Sequence, residues 1–113
     1  MSAPFVGLCS DCEVRVPTDD PNEVVRFYRR HHGTTGHDIT WEQVPVDLEA
    51  PTDADLDAVV AALAGESGGV PLGTVSAAMN DRGWTVGETL DTVHDRRLTG
   101  ALWEPRDDHI DAV

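Results

Sequence analysis

Apolar and polar positions along the first forty residues change period twice. "PFVGLC" and "EVRVP" alternate with a period of two, Val14 and Val16 between charged neighbours, which predicts two short strands around the turn "CSDC". From residue 21 the period lengthens: Val24, Phe27, Tyr28 and His31 fall on one helical face, with Asp19 or Asp20 as the cap and Pro21 in the first turn, where a missing N–H costs nothing. Gly33 is expected to end this helix, "TTG" to loop, and "HDITWEQV" to run extended with Ile39 and Trp41 on one side.

The second half reads as three helices and a hairpin. "PTDADLDAVVAALAG" carries Thr52 or Asp53 at its start, acids in the first turn, and Leu56, Val59, Val60 and Leu63 on one stripe. "VPLGTVSAAMNDRG" is a short helix closed by Gly83, with Leu72, Val75 and Met79 inward. In "WTVGETLDTVHDRRLTG" Thr85 and Glu88 form a capping box, and Val86, Leu90, Val93 and Leu98 make the apolar face. "ALWEPRDDHIDAV" then gives two extended segments about the turn "PRDD", with Trp103 expected inward and Trp84 a staple on the helical core.

Between the halves, "VPVDLEAPTD" holds two prolines and an acidic run. The expected organisation is a module at 1–43, a linker at 44–51 and a second module at 52–113, in an α+β chain. A module of about 40 residues is too small for a self-sufficient core and needs a metal, a disulfide or a partner.

Charge changes the picture next. The 113 residues carry 21 Asp plus Glu against 8 basic residues, a formal net charge of −13, and all the basic ones are Arg. Disorder is a poor account of this acidity, because 40% of the residues are hydrophobic and the periodic segments are well formed. The acidic, Lys-free composition resembles that of haloarchaeal proteins kept soluble in molar salt, where the Debye length falls to about 3 Å. No apolar run is long enough for a membrane span and the N-terminus lacks the pattern of a signal peptide, so a cytoplasmic location is expected.

Both cysteines and three of the five histidines lie between residues 9 and 37. Cys9-x2-Cys12 has the spacing of a zinc knuckle, and either His31-x5-His37 or His32-x4-His37 supplies the second pair. Helical phase favours His31, on the face of Phe27 and Val24; His32 projects about 100° away, beside Tyr28. A redox role for the C-x2-C pair fits less well, since it lies between strands with acids at Asp11 and Glu13, which disfavour a thiolate.

The segment resembles a Cys2His2 zinc finger, and "HHGTTGHDI" is similar to the "H…TGH" ending of small haloarchaeal zinc-finger proteins. Eighteen residues separate Cys12 from His31, against about twelve in the nucleic-acid-reading finger, so the base-reading roles of that family do not transfer. The resemblance implies one structural Zn2+ held by four protein ligands, with no open position for catalysis, and a zinc-stapled ββα finger. Cys9→Ser is expected to unfold residues 5–43 and leave the second half helical.

Residues 66–113 resemble the winged helix-turn-helix at the C-terminus of archaeal minichromosome-maintenance helicases, on Val70, Pro71, Leu98, Gly100, Trp103, Glu104 and Pro105 and the helix lengths between them. The resemblance implies a role in transcription or replication, with DNA met by the helix at 85–97 and the wing at Arg106. Candidate contacts are Thr85, Thr89, Thr92, Arg96, Arg97 and Arg106. Glu88, Asp91 and Asp95 on the same helix oppose phosphates. The alternative is an adaptor that binds a protein partner and no DNA, through exposed apolar residues among Trp41, Trp84 and Trp103.

An enzyme is not expected, nor a small-molecule substrate. "GESGG" lacks the strand and helix of a nucleophile elbow, and no Gly-rich phosphate loop is present. His94 and His109 are expected as surface or partly buried histidines.

Overall fold

The computed structural model describes residues 3–45, 55–65 and 68–113. The alternating segments form β1 (Phe5–Cys9) and β2 (Val14–Thr18), antiparallel, with Cys9 opposite Val14 across the turn. A third strand, β3 (Thr40–Gln43), pairs with the other edge of β1 and gives the order β2-β1-β3.

Helix α1 (Pro21–Thr35) begins as its sequence dictates. The Asp20 side chain accepts the N–H of Asn22 at 3.0 Å, and Pro21 occupies the first turn. The helix runs through Gly33, its expected end, because the left-handed cap falls at Gly36, where φ is +77°. Where α1 crosses the sheet, a Cβ on Gly7 would lie 2.8 Å from Cγ1 of Val24, so only glycine permits the approach.

In the second half, α2 (Leu56–Ala64) is capped by Asp55, whose side chain accepts from Ala58 N; Thr52 and Asp53 lie outside the described residues. Val70 and Pro71 form a two-residue strand, β4, so α3 (Leu72–Met79) starts two residues later than its apolar pattern suggests. A 3-10 turn (Asn80–Arg82) closes on Gly83, and the Thr85–Glu88 capping box opens α4 (Val86–Leu98). Strands β5 (Leu102–Arg106) and β6 (His109–Ala112) complete a second antiparallel sheet ordered β4-β6-β5. The described residues thus make a small α+β fold of four helices and two three-stranded sheets. None of these helices is long and apolar enough to cross a membrane.

Two apolar clusters share the interior, and each borrows from the other half. Val25 of α1 packs into the cluster of α2, α3 and β6, while Ala77 of α3 and Val86 of α4 pack under the first sheet with Val24, Ile39 and Trp41. Polar groups tie the seam: Trp41 Nε1 donates to Ser76 Oγ at 3.0 Å, and the Asn22 amide accepts from Gly73 N at 2.7 Å and donates to Asp108 O at 3.1 Å. A Cβ on Gly73 would lie 2.2 Å from the backbone of Pro21, so α1 and α3 meet main chain to main chain. Of the expected linker, only Val44 and Pro45 are described.

Two apolar side chains expected inward face out. Leu98 is 74% exposed, because the last turn of α4 runs past the core. Trp103 is 50% exposed, since the pleat that turns Leu102 into the core turns its neighbour outward. Trp41 is buried and Trp84 packs on the helical core.

Candidate metal centre

The four residues of the predicted cluster converge from three pieces of chain. Cys9 ends β1 and is fully buried; Cys12 sits exposed in the following turn, which Glu13 closes at φ +59°. His31 comes from α1, its ring stacked on Phe27 at 5.0 Å. His37 follows the Gly36 cap, which turns the chain back so that its ring lies 5.4 Å from that of His31.

One donor atom from each of Cys9, Cys12, His31 and His37 lies within 4.8 Å of all the others. Cys9 Sγ is 3.3 Å from His31 Nε2 and 3.5 Å from His37 Nδ1, and Cys12 Sγ is 3.4 Å from His31 Nε2. A tetrahedral ion with metal–sulfur bonds of about 2.3 Å and metal–nitrogen bonds of about 2.0–2.1 Å has sulfur–nitrogen edges of about 3.5 Å. These three separations are close to that edge length, and two thiols with two imidazoles are a suitable donor set for one metal ion.

Alone, the Cys12 sulfur disfavours charge. The neighbouring Cys9 thiol, and then desolvation, push the Cys12 thiol above its ordinary value. A divalent cation reverses that preference, since the thiolate is the ligand form.

His32, the competing candidate, stays out of the cluster. Its Nδ1–H donates to the carbonyl of His37 at 3.1 Å and its ring stacks on Tyr28 at 5.0 Å. Thr35 bridges the two cluster histidines through the backbone, donating to His31 O at 2.7 Å and accepting from His37 N at 3.1 Å. Such contacts are those that would orient metal-binding side chains at one remove. Thr35 had no signal in the sequence beyond its place in "HHGTTGH".

Comparison with known families gives two matches, and both carry the same family label. Residues 6–43 match the HVO_B0008 N-terminal model, and residues 65–110 match the HVO_B0008 C-terminal domain. The chain belongs to the haloarchaeal HVO_B0008 family. No curated protein and no solved structure matches it.

All four cluster residues fall within the HVO_B0008 N-terminal match, and the candidate nucleic-acid contacts fall within the HVO_B0008 C-terminal match. The latter do not gather into one cationic surface. Thr85 caps α4 and donates its hydroxyl to Asp38 at 2.6 Å; Thr89 is fully buried, bonded to Thr85 O; Thr92 bonds to Glu88 O. Arg97 pairs with Glu104 at 2.9 Å and Arg96 approaches Asp57 at 3.6 Å. Arg106 stands exposed at the end of β5. The expectation that Thr89 contacts a nucleic acid is corrected by its burial.

The HVO_B0008 C-terminal match is also gripped at both places where a nucleic acid was expected. Asp38 occupies the N-terminus of α4, and the β5–β6 turn is held to α1, where Arg29 pairs with Asp108 at 2.9 Å. Asp38, Asn22 and Asp108 are the residues that sequence reasoning missed.

Proposed function

We propose that this protein is a non-catalytic adaptor of the transcription or replication machinery, stapled by one structural Zn2+ and working through a protein partner rather than by reading duplex DNA. Two thiols and two imidazoles at tetrahedral edge lengths favour zinc. The order α2-β4-α3-α4-β5-β6, with β6 central in its sheet, supports a winged-helix reading of the second half.

One observation carries the choice of adaptor over DNA binder. The N-terminus of α4 and the hairpin tip, the two parts a winged helix presents to a groove and a backbone, are both engaged by the first half through Asp38 and Arg29. Two large apolar side chains stay exposed beside these: Leu98 and Trp103 share a shallow groove flanked by His94 and Arg97. In molar salt, charge is screened over about 3 Å and apolar contact is the attraction that survives.

The test is titration of the zinc-loaded full chain with random duplex DNA at molar KCl, beside native mass to count the metal. The expected result is one zinc per chain and no saturable duplex binding. Saturable binding that disappears in Arg96→Ala and Arg106→Ala would return the protein to the DNA binders.

A further inference from the structure

The start of α4 lies against the chain that follows His37. A helix leaves its first N–H groups without internal partners, and each needs an acceptor. In α4 these groups divide unequally. Glu88 N is satisfied locally by Thr85 Oγ1 at 3.1 Å. The other two are satisfied from the other half: Val86 N donates to Ile39 O at 2.8 Å, and Gly87 N donates to Asp38 Oδ1 at 2.9 Å.

Asp38 and Ile39 directly follow the ligand His37 in the chain. Both oxygens of the Asp38 carboxylate are engaged, Oδ1 accepting also from Ile39 N at 2.7 Å and Oδ2 from Thr85 Oγ1 at 2.6 Å. It adds negative charge to a helix N-terminus, where the macrodipole favours it. A second path runs in parallel: His32 holds the carbonyl of His37 and stacks on Tyr28, whose hydroxyl lies 2.6 Å from the place a Cβ on Gly87 would take.

We infer that the loop carrying His37 is the N-terminal clamp of α4, so that metal occupancy at one end sets how firmly the second half is held at the other. The inference rests on the zinc reading and extends it to regulation of the same site: an ion-free chain has a loosened α4, and a chain with a damaged α4 clamp binds the ion less tightly. Such coupling is reciprocal by thermodynamic necessity.

Thr85→Ala tests this from the far end, because Thr85 touches none of the four cluster residues. Zinc affinity of the full-length variant is measured by chelator competition, and is expected to fall about tenfold, with Thr85→Ser restoring it. In the parent chain, hydrogen exchange at Val86 and Gly87 is expected to quicken at least tenfold on chelation, and more than at Val59 in α2. Unchanged affinity in a folded Thr85→Ala overturns the coupling. So does exchange at Val86 and Gly87 that ignores the metal, a measurement that stands even if the variant does not fold. A parent chain that takes up no zinc at all fails differently: it removes the metal reading, and the coupling with it.

Discussion

Arg29 on α1 grips Asp108 at the β5–β6 turn with two contacts, Nη2 to Oδ1 at 2.9 Å and Nη1 to Oδ2 at 3.0 Å. Asp108 has a left-handed backbone, φ +56°, while its carbonyl accepts from Leu72 N at 2.7 Å and from the Asn22 amide. One residue therefore joins three elements. Arg29→Ala removes only the ion pair, half exposed on the arginine side, and is expected to cost about 0.5–1 kcal/mol at low salt and less at molar KCl. Asp108→Ala loses the same pair and places a residue without a local polar partner in the left-handed region, adding about 1 kcal/mol. Denaturant titrations of the two variants at both salt concentrations check the order and its salt dependence.

Ligand identity can be read by counting. His31→Ala and Cys9→Ser are expected to lose the metal, whereas His32→Ala keeps one ion per chain with affinity reduced by about tenfold or more, as for loss of an outer partner of a ligand. Native mass before and after mild chelation distinguishes the two histidines. Equal loss in His31→Ala and His32→Ala would contradict the geometry.

Three glycines should respond to alanine with different signs. Gly73→Ala sets a methyl 2.2 Å from the Pro21 backbone, which cannot rotate away, and is expected to destabilise by about 3 kcal/mol or more. Gly87→Ala presses on the Tyr28 hydroxyl and the Asp38 carboxylate, which yield more readily, for a loss of about 1–3 kcal/mol. Gly33 lies inside α1 with nothing within 4 Å of its new methyl, so Gly33→Ala is expected to stabilise by about 0.5–1 kcal/mol. Thermal unfolding of the metal-loaded chains reads all three.

Tyr28 offers a pH test, because it is the single tyrosine of the chain. Burial first, then the charges of Asp38 and Asp91, raise its phenol above the ordinary value of 10.0. The folded protein therefore holds the proton more tightly than the unfolded chain. The associated stability is complete below about pH 10 and is lost as pH rises through the higher folded value. Phenolate absorbance should appear at higher pH in the native protein than in urea. Molar salt should narrow the gap by screening the two carboxylates while leaving the burial contribution in place.

What the sequence revealed, and what it withheld, divides by range. A cap at Asp19 or Asp20, the Thr85–Glu88 box and a cluster of Cys9, Cys12 and His37 with His31 or His32 are local or follow a fixed spacing, and the structure has the cap at Asp20, the box, and His31 in the cluster. The end of α1 is ambiguous in the sequence because Gly33 and Gly36 are equally good stop signals by type, and the left-handed cap forms at the second. Leu98 and Trp103 look like core residues by type, yet the fold leaves them outside because α4 outruns its neighbours and the pleat commits Leu102 inward. Asp38, Asn22 and Asp108 were illegible for a plainer reason. An acid or amide that caps or clamps an element dozens of residues away leaves no periodic trace, and in so acidic a chain another carboxylate draws no notice.

The main-chain contact between Gly73 and Pro21 bears on how such a chain can be passed on. Each family-matched stretch presents a face moulded to the other, with Val25 on one side and Ala77 and Val86 on the other as the complementary pieces. Transplanting either stretch alone into a different polypeptide would strip that face bare. The two stretches pack as one unit, in which a change on one side of the seam must be accommodated on the other.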